Sequence, residues 1–116
     1  MRIKVWSLNK GYFMIKCSQC TREFDLQSMS EYIASISGSI MGDECIETYY
    51  YCDRCGVYTV EVFWDNFSGE ESTSVQGPIK KSVGDEKVAM IKRCSEPWNK
   101  KCRCVAHKSY FEGSLD

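Results

Sequence analysis

The chain has 116 residues, 43% hydrophobic and 13% aromatic, which is the composition of one globular domain with a modest core and excludes an intrinsically disordered chain. A formal net charge of −1 and a pI near 5.9 give no overall attraction for a polyanion. Eight cysteines are the informative part of the composition, because a small core often needs a disulfide or a metal as a staple.

The compartment decides between those two. Lys4 and Lys10 interrupt the N-terminal apolar run, so it reads neither as the apolar core of a signal peptide nor as a cleavage site. No apolar stretch approaches the ~20 residues of a membrane span. The expected setting is the reducing cytoplasm, where cysteine pairs favour metal over disulfide.

In chain order, Met1, Ile3 and Val5 alternate with Arg2, Lys4 and Trp6, as in a short half-buried strand. Residues 12–17 form a second apolar run that leads into Cys17-Ser-Gln-Cys20, and Thr21-Arg-Glu returns to Phe24 like the second arm of a hairpin. Ser28-Met-Ser-Glu31 matches a capping box. Leu26, Met29, Ile33, Ile36 and Ile40 then recur at steps of three and four, which predicts a helix over about 26–40 ending near Gly38 or Gly42. Tyr49–Tyr51 leads into Cys52-Asp-Arg-Cys55-Gly56. The strand that follows places Tyr58, Val60, Val62 and Trp64 on one face and Val57, Thr59, Glu61 and Phe63 on the other, so it should be central. Residues 65–85, rich in Gly, Ser and Glu and containing Pro78, predict a flexible loop. Val83–Arg93 fits either a short helix starting near Asp85 or a strand.

Cys17, Cys20, Cys52 and Cys55 have the spacing of one tetrahedral metal site. A Cys-x-x-Cys turn presents two sulfurs to one side of a zinc ion, and two such turns complete its shell. Gly56 suits the backbone after a knuckle, and Lys16, Arg22 and Arg54 are placed to offset thiolate charge. The arrangement resembles the zinc ribbon over residues 12–64. That resemblance implies two knuckles at hairpin tips with a strand after the second. Here 31 residues separate the knuckles, which the helix at 26–40 would fill as an insertion, and Thr21 stands where a glycine is expected. The same four thiolates can also hold an iron–sulfur centre.

Cys94, Cys102 and Cys104, with His107 three residues on, supply three thiolates and one imidazole, a known structural-zinc set. Cys45 competes with His107, the only histidine, for the fourth place; the preferred set uses His107. The charge is segregated: residues 43–71 hold eight acids against Arg54, whereas 87–108 hold seven bases against Glu96. Lys92, Arg93, Lys100, Lys101 and Arg103, interleaved with Trp98, Tyr110 and Phe111, form a basic-aromatic segment of the kind single-stranded nucleic acid uses. The competing reading is that these cations neutralise thiolates and solvate the chain. Tyr49–Tyr51 and this basic segment are the candidate binding surfaces.

A closed zinc site leaves no position for water or substrate, and a metal-bound histidine leaves no general base near neutral pH. Gly-rich phosphate loops and the common hydrolase motifs are absent from the sequence. The expectation is therefore one α+β domain over 1–116, with a small antiparallel sheet bearing zinc-ribbon-like knuckles, one inserted helix and a Cys-rich segment over 86–116. Its expected function is that of a non-catalytic module holding two zinc ions and binding a protein or nucleic acid, with no membrane and no small-molecule substrate. The alternative is a redox or metal-handling protein whose clusters carry iron–sulfur or transferable metal.

Overall fold

A computed structural model describes residues 15–24 and 32–116. The strand expected at Met1–Val5 and the capping box at Ser28–Glu31 lie outside those residues. Among the described residues four strands form one antiparallel sheet in sequential order: β1 (Tyr32–Ile40), β2 (Asp43–Cys52), β3 (Val57–Asp65) and β4 (Glu71–Lys80). Two helices follow, α1 (Lys81–Arg93) and α2 (Val105–Tyr110), so the fold is α+β.

Residues 32–40 are a strand, not the predicted helix. The step of four between Ile36 and Ile40 fits both periods, since every second multiple of the strand repeat is also close to a helical turn. Ser35, Ser37, Gly38 and Ser39 around them are poor helix formers. Met41 and Gly42 both take positive φ (52° and 86°), and Ile40 pairs with Asp43. That is a two-residue type I′ turn, whose twist matches a tight hairpin.

The predicted loop at 65–85 is likewise corrected. Only 66–70 connect β3 to β4, and Glu71–Lys80 pairs with β3 from Asp65 back to Val57. β4 is almost wholly exposed, so it carries no apolar alternation by which to recognise it. Pro78 is tolerated because the strand lies at the sheet edge beside a bulge opposite Tyr58–Val60. The segment left undecided, Val83–Arg93, is helical.

β2 and β3 are the central strands. On one face Ala34, Ile36, Cys45, Tyr49, Val60 and Val62 pack beneath Val88 and Ile91 of α1 and Tyr110 and Phe111. Gly84 allows this approach: a Cβ there would stand 2.0 Å from Tyr58 Cδ2. On the other face Ile15, Cys17 and Phe24 pack against Tyr50 and Cys52, with the Phe24 and Tyr50 rings stacked at 5.4 Å. Tyr49 and Tyr50 are thus core residues, 4% and 3% exposed, which removes them from the candidate binding surface.

Candidate metal centres

The first centre is assembled from two similar turns. Cys17 and Cys20 sit at the tip of a narrow hairpin held by the Lys16–Glu23 bridge, with Cys17 N–H donating to Arg22 O at 2.8 Å and Phe24 N–H to Ile15 O at 2.9 Å. Cys52 and Cys55 form the turn between β2 and β3. In each knuckle the residue after the second cysteine donates its N–H back to the carbonyl of the first: Thr21 to Cys17 at 2.9 Å and Gly56 to Cys52 at 2.8 Å. At that residue the chain turns out of the knuckle through a left-handed backbone, with φ of 65° at Thr21 and 69° at Gly56. Glycine adopts it without strain, whereas a β-branched residue does not.

All four sulfurs lie within 4.8 Å of one another. Cys17 Sγ is 4.0 Å from Cys55 Sγ, and Cys20 Sγ is 3.9 Å from Cys52 Sγ. A tetrahedron with zinc–sulfur bonds of about 2.3 Å has edges of about 3.8 Å, so the group can hold one metal ion. The surroundings favour thiolate. Gln19 N–H points at Cys17 Sγ (3.4 Å) and the Arg22 guanidinium at Cys52 Sγ (3.6 Å). Burial opposes ionisation of Cys52, yet the Cys55 N–H and Arg22 together bring its pKa down to about 6. Hydrogen bonding to Cys20, then burial and the other thiols, pushes Cys55 up to about 12. A bound cation removes that conflict because every thiol then ionises. The first knuckle is anchored to the sheet through buried Thr59, whose hydroxyl accepts from Ser18 N–H at 2.9 Å.

The second centre links α1, α2 and the edge of β1. Cys94 ends α1, and Cys104 caps α2 by accepting from His107 N–H. Between them, bonds from Asn99 N–H to Glu96 O and from Cys102 N–H to Asn99 O, both 3.0 Å, fold the loop on itself. Cys94 Sγ lies 3.7 Å from Cys102 Sγ, 3.5 Å from Cys104 Sγ and 3.3 Å from His107 Nδ1. These four donor atoms also lie within 4.8 Å of one another, and the short sulfur–nitrogen edge matches the shorter zinc–nitrogen bond. Burial pushes the Cys94 thiol up to about 12, while the His107 N–H lowers that of Cys104.

The backbone of Ser37 orients this centre. His107 is fully buried, and its Nε2 lies 2.6 Å from Ser37 O. A carbonyl can only accept, so Nε2 carries the proton and Nδ1 presents its lone pair toward Cys94. Ser37 N–H in turn donates to Pro97 O at 2.8 Å, and Asp116 N–H donates to Ser39 O at 2.9 Å. The segment carrying the second centre therefore covers the outer edge of β1, which would otherwise be open to pairing with another chain. Along β2 the two centres are separated by the run from Ile46, opposite Ser37, to Cys52, six residue steps along the strand, or about 20 Å at about 3.3 Å per step.

Cys45 is elsewhere. It is buried on β2 between Gly38 and Trp64, and burial pushes its thiol up to about 12; the structure brings His107, not Cys45, to the three thiols. The basic residues are divided. Lys92, Arg93 and Lys101 are exposed, and Lys100 lies 3.8 Å from Glu44. Half-buried Arg103 is taken up by backbone carbonyls, with Nη1 donating to those of Lys100 and Cys102, and Nε and Nη2 to Asp116 O. Cysteine spacing pointed to the donors that the structure gathers but not to Ser37, Pro97 or Thr59, whose roles arise from long-range approach and have no local signal. Comparison with known proteins adds nothing to this picture, since no family model, no curated protein and no solved structure gives a significant match to the chain.

Proposed function

We propose that the protein is a non-catalytic zinc-binding module. One zinc ion in each centre holds the fold, and the protein partner or nucleic acid binds the surface so formed. The observation that carries this reading is that each centre collects four protein donors within 4.8 Å. That leaves space for one central ion and fills every tetrahedral position, as structural zinc requires. The same spacing disfavours a multi-iron cluster, whose cysteines bind different metal atoms. All eight cysteines are unpaired, which suits a reducing cytoplasm. Among the described residues no helix is long and apolar enough to cross a membrane.

Elemental analysis of the purified protein tests the reading. Two zinc ions per chain are expected, falling to one in Cys17→Ser and in Cys102→Ser, with the first substitution also unfolding the knuckles. One zinc in the parent removes the second centre. For the partner, exposed Lys92, Arg93 and Lys101 beside Trp98 form the surface a single-stranded nucleic acid would use. An affinity that falls steeply with salt supports nucleic acid, and one flat across salt supports a protein.

A metal-handling role is favoured by one observation. Cys20 is exposed, and Cys102 and Cys104 are half-buried, so neither centre is wholly enclosed. Rapid loss of zinc to a chromogenic chelator would favour that role, and visible absorbance in anaerobically purified protein would favour iron.

A further inference from the structure

Glu47 occupies a position that core packing does not explain. It lies on β2 in register with Ile36 and Val62, on the face that carries the larger core, where an apolar side chain is the stable choice. The Tyr110 hydroxyl donates to Glu47 Oε1. With its proton so used, Tyr110 accepts from the Tyr49 hydroxyl at 2.7 Å. Burial keeps both phenols neutral, with Tyr49 raised to about 12 and Tyr110 higher still. The donor chain therefore ends on a carboxylate, and no described residue hydrogen-bonds its second oxygen.

That carboxylate borders a cavity of about 380 Å³, within the range of small-molecule sites. Val60, Ile79, Val83 and Phe111 supply apolar wall, with Tyr49 and Tyr110 beside Glu47. Among the described residues the remaining charged groups on the wall are Lys87 and Glu112, 3.8 Å apart. They match each other, which leaves Glu47 as the uncompensated charge. Lys87 Nζ lies 5.2 Å from the Tyr110 ring centroid, so that ring already accepts a cation on its face. None of the eight metal donors lines the cavity.

We propose that this cavity binds a small organic amine, its ammonium group on Glu47 and its apolar or aromatic body against Val60, Ile79 and Val83. The ligand must be cationic at one end because the wall carries one unmatched negative charge. It must be largely apolar beyond that end because Val60, Ile79, Val83 and Phe111 dominate the rest of the wall, with Gln76 and Ser114 as its uncharged polar groups. Hydrogen bonds to a charged group are among the stronger ones available to a small ligand.

The test uses full-length, zinc-loaded protein with phenethylamine as the probe, followed by methyl NMR signals of Val60, Ile79 and Val83. The uncharged analogue 2-phenylethanol and the anion 3-phenylpropionate serve as controls. Saturable shifts of the cavity methyls by the amine are expected, with either control binding about tenfold or more weakly. Glu47→Gln keeps an acceptor for Tyr110 but loses the charge, and it should weaken the amine about tenfold without affecting the alcohol. Val83→Trp, on the exposed rim of the cavity, should abolish binding while circular dichroism and zinc content stay unchanged; it serves as the test if Glu47→Gln fails to fold. The proposal is overturned if the amine shifts no cavity methyl, binds no better than the alcohol, or retains its affinity in a folded Glu47→Gln or Val83→Trp protein.

Discussion

Replacing His107 by cysteine separates its two functions, metal ligation and support of β1. The substitution keeps a fourth donor, so zinc content should stay at two per chain. It removes the Nε2–H that meets Ser37 O at 2.6 Å. Ser37 is 2% exposed, and leaving its carbonyl without a donor costs about 1–3 kcal/mol. Loss of the ring stacked on Phe111 at 5.7 Å costs about 1 kcal/mol more. For a chain of this size about 4 °C corresponds to each kcal/mol, so the zinc-loaded variant should melt about 8–16 °C below the parent. Elemental analysis and calorimetry on the same sample give both quantities. In cadmium-substituted protein one ¹¹³Cd resonance should move from a three-sulfur, one-nitrogen position to a four-sulfur one. His107→Ala, by contrast, should fall toward one zinc. An unaltered melting temperature in His107→Cys, with zinc content intact, would refute the claim that the Ser37 bond helps hold the edge of β1.

Three further substitutions test other parts of the account. Cys45→Ala should leave zinc content at two, since Cys45 is a core side chain and not a donor; loss of a metal in a folded variant would reinstate it as a ligand. Thr21→Gly should raise the midpoint of denaturant unfolding of zinc-loaded protein by the equivalent of about 1 kcal/mol, because the relief of a left-handed β-branched residue exceeds the added chain entropy. Gly84→Ala should destabilise by about 1–3 kcal/mol despite the better helix propensity of alanine. Its Cβ would clash with the Tyr58 ring, and a gain in chemical stability would show that α1 can shift away from the sheet.

Much of the candidate site was legible because metal chemistry is written in residue type and short spacing. Cys17–Cys20 and Cys52–Cys55 need only a local turn to present each pair of sulfurs, and that turn's requirement shows at Gly56 and as a departure at Thr21. Central β3 was also legible, because a strand covered on both faces must be apolar on both. Residues 32–40 were misread because Ile36 and Ile40 satisfy both repeats at once, and the choice rests on pairing with β2 and on the Met41–Gly42 turn. β4 was misread because an edge strand held by backbone bonds imposes little on its side chains.

The sequence by itself thus pointed to two groups of residues able to hold metal, with Cys45 and His107 both open as the last donor, since sulfur and imidazole donors are scarce and grouped along the chain. Only the tertiary structure decided that His107 offers Nδ1, that Arg103 is taken up by backbone carbonyls and that Cys45 stands apart. It alone placed Glu47 against Tyr110 at the mouth of a cavity. Each of these depends on groups distant in sequence meeting at hydrogen-bonding range, and the pairing of strands and the docking of helices set that approach.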